Sequence, residues 1–135
     1  MSNGISNLAT LLSSMEPVLH PGVFAYCVVA HGSDLSAWVP AVTVAESEGL
    51  TLVLPEEQAV NAGLPVRARV AWITLTVHSD LEAVGLTAAF AGALGKAGIS
   101  CNVVAGAFHD HIFVPVERAQ RALAALKALQ KDSAA

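Results

Sequence analysis

Residues 98–115, GISCNVVAGAFHDHIFVP, decide the fold. Two short runs rich in β-branched and aromatic residues, 99–105 and 108–114, flank Gly106-Ala107, which reads as a tight hairpin connection. Upstream, residues 69–78 alternate as a strand does, and a helical stretch follows from about residue 80 to 97. Downstream, a second helical stretch covers residues 116–130. The order is β-α-β-β-α, the split βαβ or ferredoxin-like arrangement short of its last strand.

The upstream strand has two unlike sides. Arg69, Ala71, Ile73, Leu75 and Val77 share one, which is apolar beyond Arg69 and suits a helix-covered face. Val70, Trp72, Thr74, Thr76 and His78 share the other, which is mixed and suits a face packed against a partner. Ser79 and Glu82 have capping-box spacing, and Asp80 adds an acid to the first turn. The helix that follows is rich in small residues. A glycine inside a helix costs about 1 kcal/mol relative to alanine, so Gly85, read as a second-turn residue, needs a reason. That reason is close backbone packing or access for a ligand. In the last helix Ala119, Ala122, Leu123, Leu126 and Leu129 form an ordinary core stripe. The missing final strand leaves a sheet position for the first half, or another subunit, to fill.

The first half repeats this plan loosely. Residues 5–15 read as a short helix, broken at Pro17 and turned at Pro21-Gly22. Residues 24–30 read as a strand, residues 31–40 as a loop in which Trp38 covers a core edge, and residues 41–45 and 50–54 as two further strands. Pro55 opens a short helix with Glu56 and Glu57 in its first turn, ending near Gly63. LTLVLPEEQAV (50–60) and HIFVPVERAQ (111–120) share an apolar strand, a proline, an acid and then a helix, which suggests a degenerate internal repeat.

Of the 135 residues, 54% are hydrophobic and 13% charged, enough for a sizeable core. The net charge of −4 gives no electrostatic reason to bind nucleic acid. The longest apolar stretch, 83–95, is too short to span a bilayer, and MSNGISN lacks a basic leader region. Cys27 and Cys101 each sit in an apolar strand and read as small buried residues. A reduced, cytoplasmic protein is expected, with apolar surface left over for a second copy.

The run TLTVHSDLEAVGLTAAFAGALGKAGISCNVVAGAFHDHIFVPVERAQRALAAL (74–126) closely resembles the ACT domain, a small βαββαβ ligand-sensing module. The chain looks like the small bacterial proteins made of two tandem, diverged ACT domains. The similarity is strong over residues 68–130 and weaker over 8–66, and "GIS-x-NVV" followed by "DHIFVP" is its most specific part. The resemblance implies an α+β fold of tandem ferredoxin-like units with antiparallel sheets, divided as 1–66 and 67–135, with elements shared between the copies. It further implies a non-catalytic regulatory module that binds a small molecule, an amino acid by preference, without a cofactor. Such a module acts through a partner or through self-association as a homodimer or higher oligomer.

In ACT domains the ligand contacts come from the loop between the first strand and first helix, and from the second strand of a neighbour. Carried over, these are Ser79, Asp80, Leu81, Val84, Gly85 and Leu86, with Asn102 and Val103 from the neighbour. Helix-start N–H groups would take a carboxylate, Asp80 an ammonium, and Asn102 offers both donors and an acceptor. Read as residues alone, Ser79 and Asp80 equally serve as caps and Asn102 as an exposed strand residue.

Two other functions compete. His78, His109 and His111 would suit a zinc-dependent hydrolase, with His109 and His111 on one strand face and Asp110 or Asp80 behind them. No nucleophile–base pair or phosphate-binding glycine loop accompanies them. The third reading is an assembly module without a ligand.

Overall fold

The computed structural model describes residues 8–76 and 85–134. The fold is α+β, with antiparallel strand pairs and helices. The described residues pack as two units, Pro21–Ala71 and the residues up to His20 together with those from Trp72 onward.

In the Pro21–Ala71 unit, strands β2 (Phe24–Val29), β3 (Val42–Glu46) and β4 (Gly49–Pro55) and the start of β5 (Ala68–Leu75) run in the order β3-β4-β2-β5. Opposed residues of an antiparallel pair share a face. The pairs Ala25↔Leu54 and Cys27↔Leu52 therefore put four apolar side chains on one side. They form the unit's core with Ala59 of helix α2 (Glu56–Asn61), and Leu35, Trp38 and Leu64 pack around it. Trp38 thus covers a core edge, as expected. Pro55 is the α2 N-cap, with φ −51°, and Glu56 and Glu57 occupy the first turn. The far end closes through Gly63, whose φ is +71°. There Leu64 N–H reaches back 3.0 Å to the Ala59 carbonyl, the bond that satisfies a helix's last carbonyls. Glu56 also forms an ion pair with Arg69 of β5.

The other unit holds helix α1 (Leu8–Ser14), strand β1 (Pro17–Leu19), the end of β5, helix α3 (Leu86–Lys96), strands β6 (Asn102–Ala105) and β7 (Asp110–Pro115), a 3-10 turn (Val116–Arg118) and helix α4 (Ala119–Ala134). Its strands follow β5-β7-β6, and β1 also pairs with β5. One sheet face carries Ile73, Leu75, Ile112 and Val114, each fully buried. Against this core lie Leu11 and Leu12 of α1, Leu86, Phe90 and Leu94 of α3, and Ala122 and Leu126 of α4. Helix α4 packs on α1, α3, β1 and β7.

Four local expectations change. Pro17 reads as a breaker but begins β1, in the register Pro17↔Leu75, Val18↔Thr74 and Leu19↔Ile73. A proline is tolerated at the first position of a strand because it has no N–H to place in the ladder. Residues 106–109, rather than Gly106-Ala107 alone, connect β6 to β7, with Gly106 N–H donating to the His109 carbonyl at 2.9 Å. His109 therefore precedes β7 and does not share its alternation with His111. Gly85 does not lie in a second helical turn. It is the N-cap of α3 with φ +96°, a conformation that an L side chain resists.

Candidate functional site

Among the described residues, helix α3 begins without a side-chain cap. Gly85 offers no side chain to bond the first N–H groups, and its carbonyl takes the Ala89 N–H at 2.9 Å. The early N–H groups of a helix lack partners within the helix, and the partial positive charge there favours an anion. Leu86, the first helical residue, is buried in the core, so it anchors this end. The side chain of Leu8, at the start of α1, lies against Gly85. Ser79, Asp80, Leu81 and Val84, as well as His78, lie outside the described residues.

Asn102 and Val103 open β6 in the register Asn102↔Phe113 and Val103↔Ile112. The two therefore point to opposite faces. Val103 shares the core side with Ile112, and Asn102, exposed, shares the side of Phe113. Of the expected ligand residues, Asn102 and Val103 are thus adjacent in sequence but separated by the sheet.

The side that Asn102 shares holds a polar cluster that the sequence reading did not assemble. His20 follows β1 and donates its N–H to the Trp72 carbonyl at 2.9 Å, which seats it beside β5. Its ring stacks on the Trp72 indole, centroids 3.6 Å apart and planes within 12°. Its Nε2 lies 2.7 Å from Thr74 Oγ1. Thr74 Oγ1 lies 3.0 Å from His111 Nδ1, and Trp72 Nε1 donates to the same nitrogen at 3.2 Å. Trp72 and Thr74 are visible in sequence as the mixed side of β5. His20 is not, because it sits beside Pro21-Gly22 and reads as part of a turn.

Burial lowers the affinity of both rings for a proton. His111 falls below the ordinary imidazole value through burial first and then through His109, with Asp110 opposing. His20 falls through burial and then through His111. Asp110, 8% exposed, is pushed up by burial, with His111 and His109 pulling the other way. Nδ1 of His109 is buried without a hydrogen-bond partner among the described residues. No three His, Cys, Asp or Glu side chains cluster to hold a metal among the described residues. Trp72 and Thr74 occupy Nδ1 of His111. Both cysteines are free thiols, and no described helix is long and apolar enough to cross a membrane.

Sequence profiles of the ACT domain match twice, one over residues 3–71 and another over residues 67–128. ACT domains are non-catalytic regulatory modules that generally bind amino acids or other small molecules, so the chain is not an enzyme. Among solved structures, a protein of unknown function from Vibrio cholerae, described as a possible transport protein, is 51% identical. The match covers 95% of this chain and 99% of that one, with a TM-score of 0.83. The regulatory subunit of aspartate kinase from Thermus flavus shares the fold at 11% identity and a TM-score of 0.63, with 84% of this chain and 95% of that one covered. Escherichia coli aspartokinase III, in complex with aspartate and ADP, does so at 11% identity and a TM-score of 0.64, over 84% of this chain and 32% of the enzyme. No functionally curated protein matches the chain.

Proposed function

Because the chain belongs to the ACT-domain family, we propose that it is a regulatory sensor of a small amino-acid-like metabolite, built from two diverged ferredoxin-like copies, residues 1–66 and 67–135. The ligand carboxylate sits on the N–H groups at the start of α3, and Asp80 receives its ammonium. Ser79, Leu81, Val84 and Gly85 form the rest of that wall with the backbone of Leu86, and Asn102 reaches it by its side chain, Val103 by its backbone alone, from a second copy in a homodimer. The observation that carries this reading is the α3 start itself. Its cap is a glycine with no side chain to occupy the first N–H groups, and an amino-acid carboxylate is the natural occupant of such an end. Membership of a family that generally binds amino acids supports an amino acid as the ligand class. Output passes through a partner protein or through assembly.

A thermal-shift screen against the common amino acids identifies the ligand, since a molecule that binds only the folded chain raises its apparent stability. Calorimetric titration of Asp80→Ala and Asn102→Ala then tests the site. Each removes a polar contact, charge-assisted for Asp80 and worth about 1.5–3 kcal/mol, or roughly ten- to a hundredfold in affinity. A ligand that binds both variants as it binds the parent sinks the assignment. Light scattering that shows a monomer at micromolar concentration sinks the dimer.

A further inference from the structure

The hydrogen-bond directions in the polar cluster follow from one fixed donor. An indole nitrogen only donates, so His111 Nδ1, 3.2 Å from Trp72 Nε1, must be the bare, accepting nitrogen of a neutral ring. With no proton on Nδ1, the contact to Thr74 at 3.0 Å requires the threonine hydroxyl to donate. Having spent its proton there, Thr74 Oγ1 must accept from His20 Nε2, 2.7 Å away. One arrangement satisfies all three contacts. His20 donates to Thr74, Thr74 donates to His111, and Trp72 donates to the same His111 nitrogen.

The geometry points to a proton-operated latch: this chain holds while His111 is neutral, and a proton on its Nδ1 faces the Trp72 indole N–H, which can only donate, so it releases Trp72 from the ring and forces the Thr74 hydroxyl to turn and accept. His20, stacked on Trp72, then loses the neighbour that fixes its acceptor, so the two histidines respond together. Among the described residues, the titratable groups that act on the pair, besides each other, are His109, just before β7, and Asp110, its first residue. The residues of β1 and β6 that share this face, Val18, Asn102 and Val104, carry no charge. Gly106 belongs to the device as well, because a Cβ there would lie 3.2 Å from His111 Nε2.

The sign is definite. Both rings bind a proton less readily in the fold than in the unfolded chain. Their contribution to stability is complete above the ordinary imidazole value of 6.5 and declines as pH falls below it toward the folded values. The latch therefore opens on the acid side of neutral.

Nitrogen NMR of the unmutated protein tests this directly. At pH 8, His111 is expected as the Nε2–H tautomer. On acidification the Trp72 indole N–H signal should move with the same midpoint as His111, below 6.5. An Nδ1–H tautomer at pH 8, or an indole signal indifferent to the titration of His111, overturns the latch. Trp72→Phe keeps an aromatic ring but removes the one fixed donor that opposes the proton, so the His111 midpoint should rise toward the ordinary value. A midpoint unchanged or lowered in that variant overturns the role of Trp72 as the opposing donor.

Discussion

A Cβ on Gly85 would lie 3.3 Å from the Cδ2 carbon of Leu8. The start of α3 and the start of α1 are thus fitted to each other at a position where the backbone is left-handed, with φ +96°. Helix propensity alone favours any ordinary residue over glycine here. The cap conformation reverses that preference. Gly85→Ala is expected to destabilise by about 1–2 kcal/mol from the left-handed backbone alone, and Gly85→Leu by more, because its side chain meets Leu8. Urea denaturation of the two variants checks both the size and the order.

Asp110 is a carboxylate that burial disfavours in its charged form. The folded chain holds its proton more tightly than the unfolded one, so stability from this residue falls as pH rises from 3.8 through the raised folded value. Asp110→Asn, which removes the charge at similar shape, should raise the Tm at pH 7–8. The gain is on the order of 1 kcal/mol, or a few degrees, and it should shrink as pH falls toward 4. A Tm that drops at every pH would show instead that the carboxylate is held by bonds worth more than its burial costs.

The two thiols are expected to react at very different rates. Cys27 is fully buried in the core of the Pro21–Ala71 unit, whereas Cys101, just before β6, is partly accessible. Burial pushes both thiols up, which slows each one. A thiol reagent at pH 8 should label Cys101 roughly tenfold faster or more. Cys27 should follow only through opening of its unit, so mild denaturant should accelerate Cys27 selectively. Mass spectrometry of the labelled peptides reads both rates.

Much of this architecture is legible in the sequence because periodicity survives in it. Alternation marks β5, with Ile73 and Leu75 on the buried side. The apolar run at β4 and the Pro55-Glu56-Glu57 start of α2 are equally plain. What hides is set by partners remote in sequence. Pro17–Leu19 is too short to show alternation and becomes a strand only because β5 offers it a ladder. The left-handed backbone at Gly85 is indistinguishable in sequence from a helical glycine. For the candidate site, the ACT resemblance supplied the α3 start and Asn102. The His20–Trp72–His111 cluster required the fold, since its members lie on β5, on β7 and beside β1, and nothing local ties them together.

The unit that contains α3 and α4 is discontinuous, and this has a consequence in time. Helix α1 packs on α4, and Gln130 Nε2 of α4 donates to the Ser13 carbonyl of α1 at 3.3 Å. During synthesis, α1 emerges from the ribosome some hundred residues before its partner. For that interval its apolar stripe, Leu11 and Leu12, has no native cover, and β1 must likewise wait for β5. The core cluster of the Pro21–Ala71 unit, Ala25, Cys27, Leu52, Leu54 and Ala59, is drawn from within that unit and can condense at once. A nascent chain stalled before α4 should therefore carry one finished unit and one exposed helix, which makes α1 the segment most open to chaperones while the chain is being made.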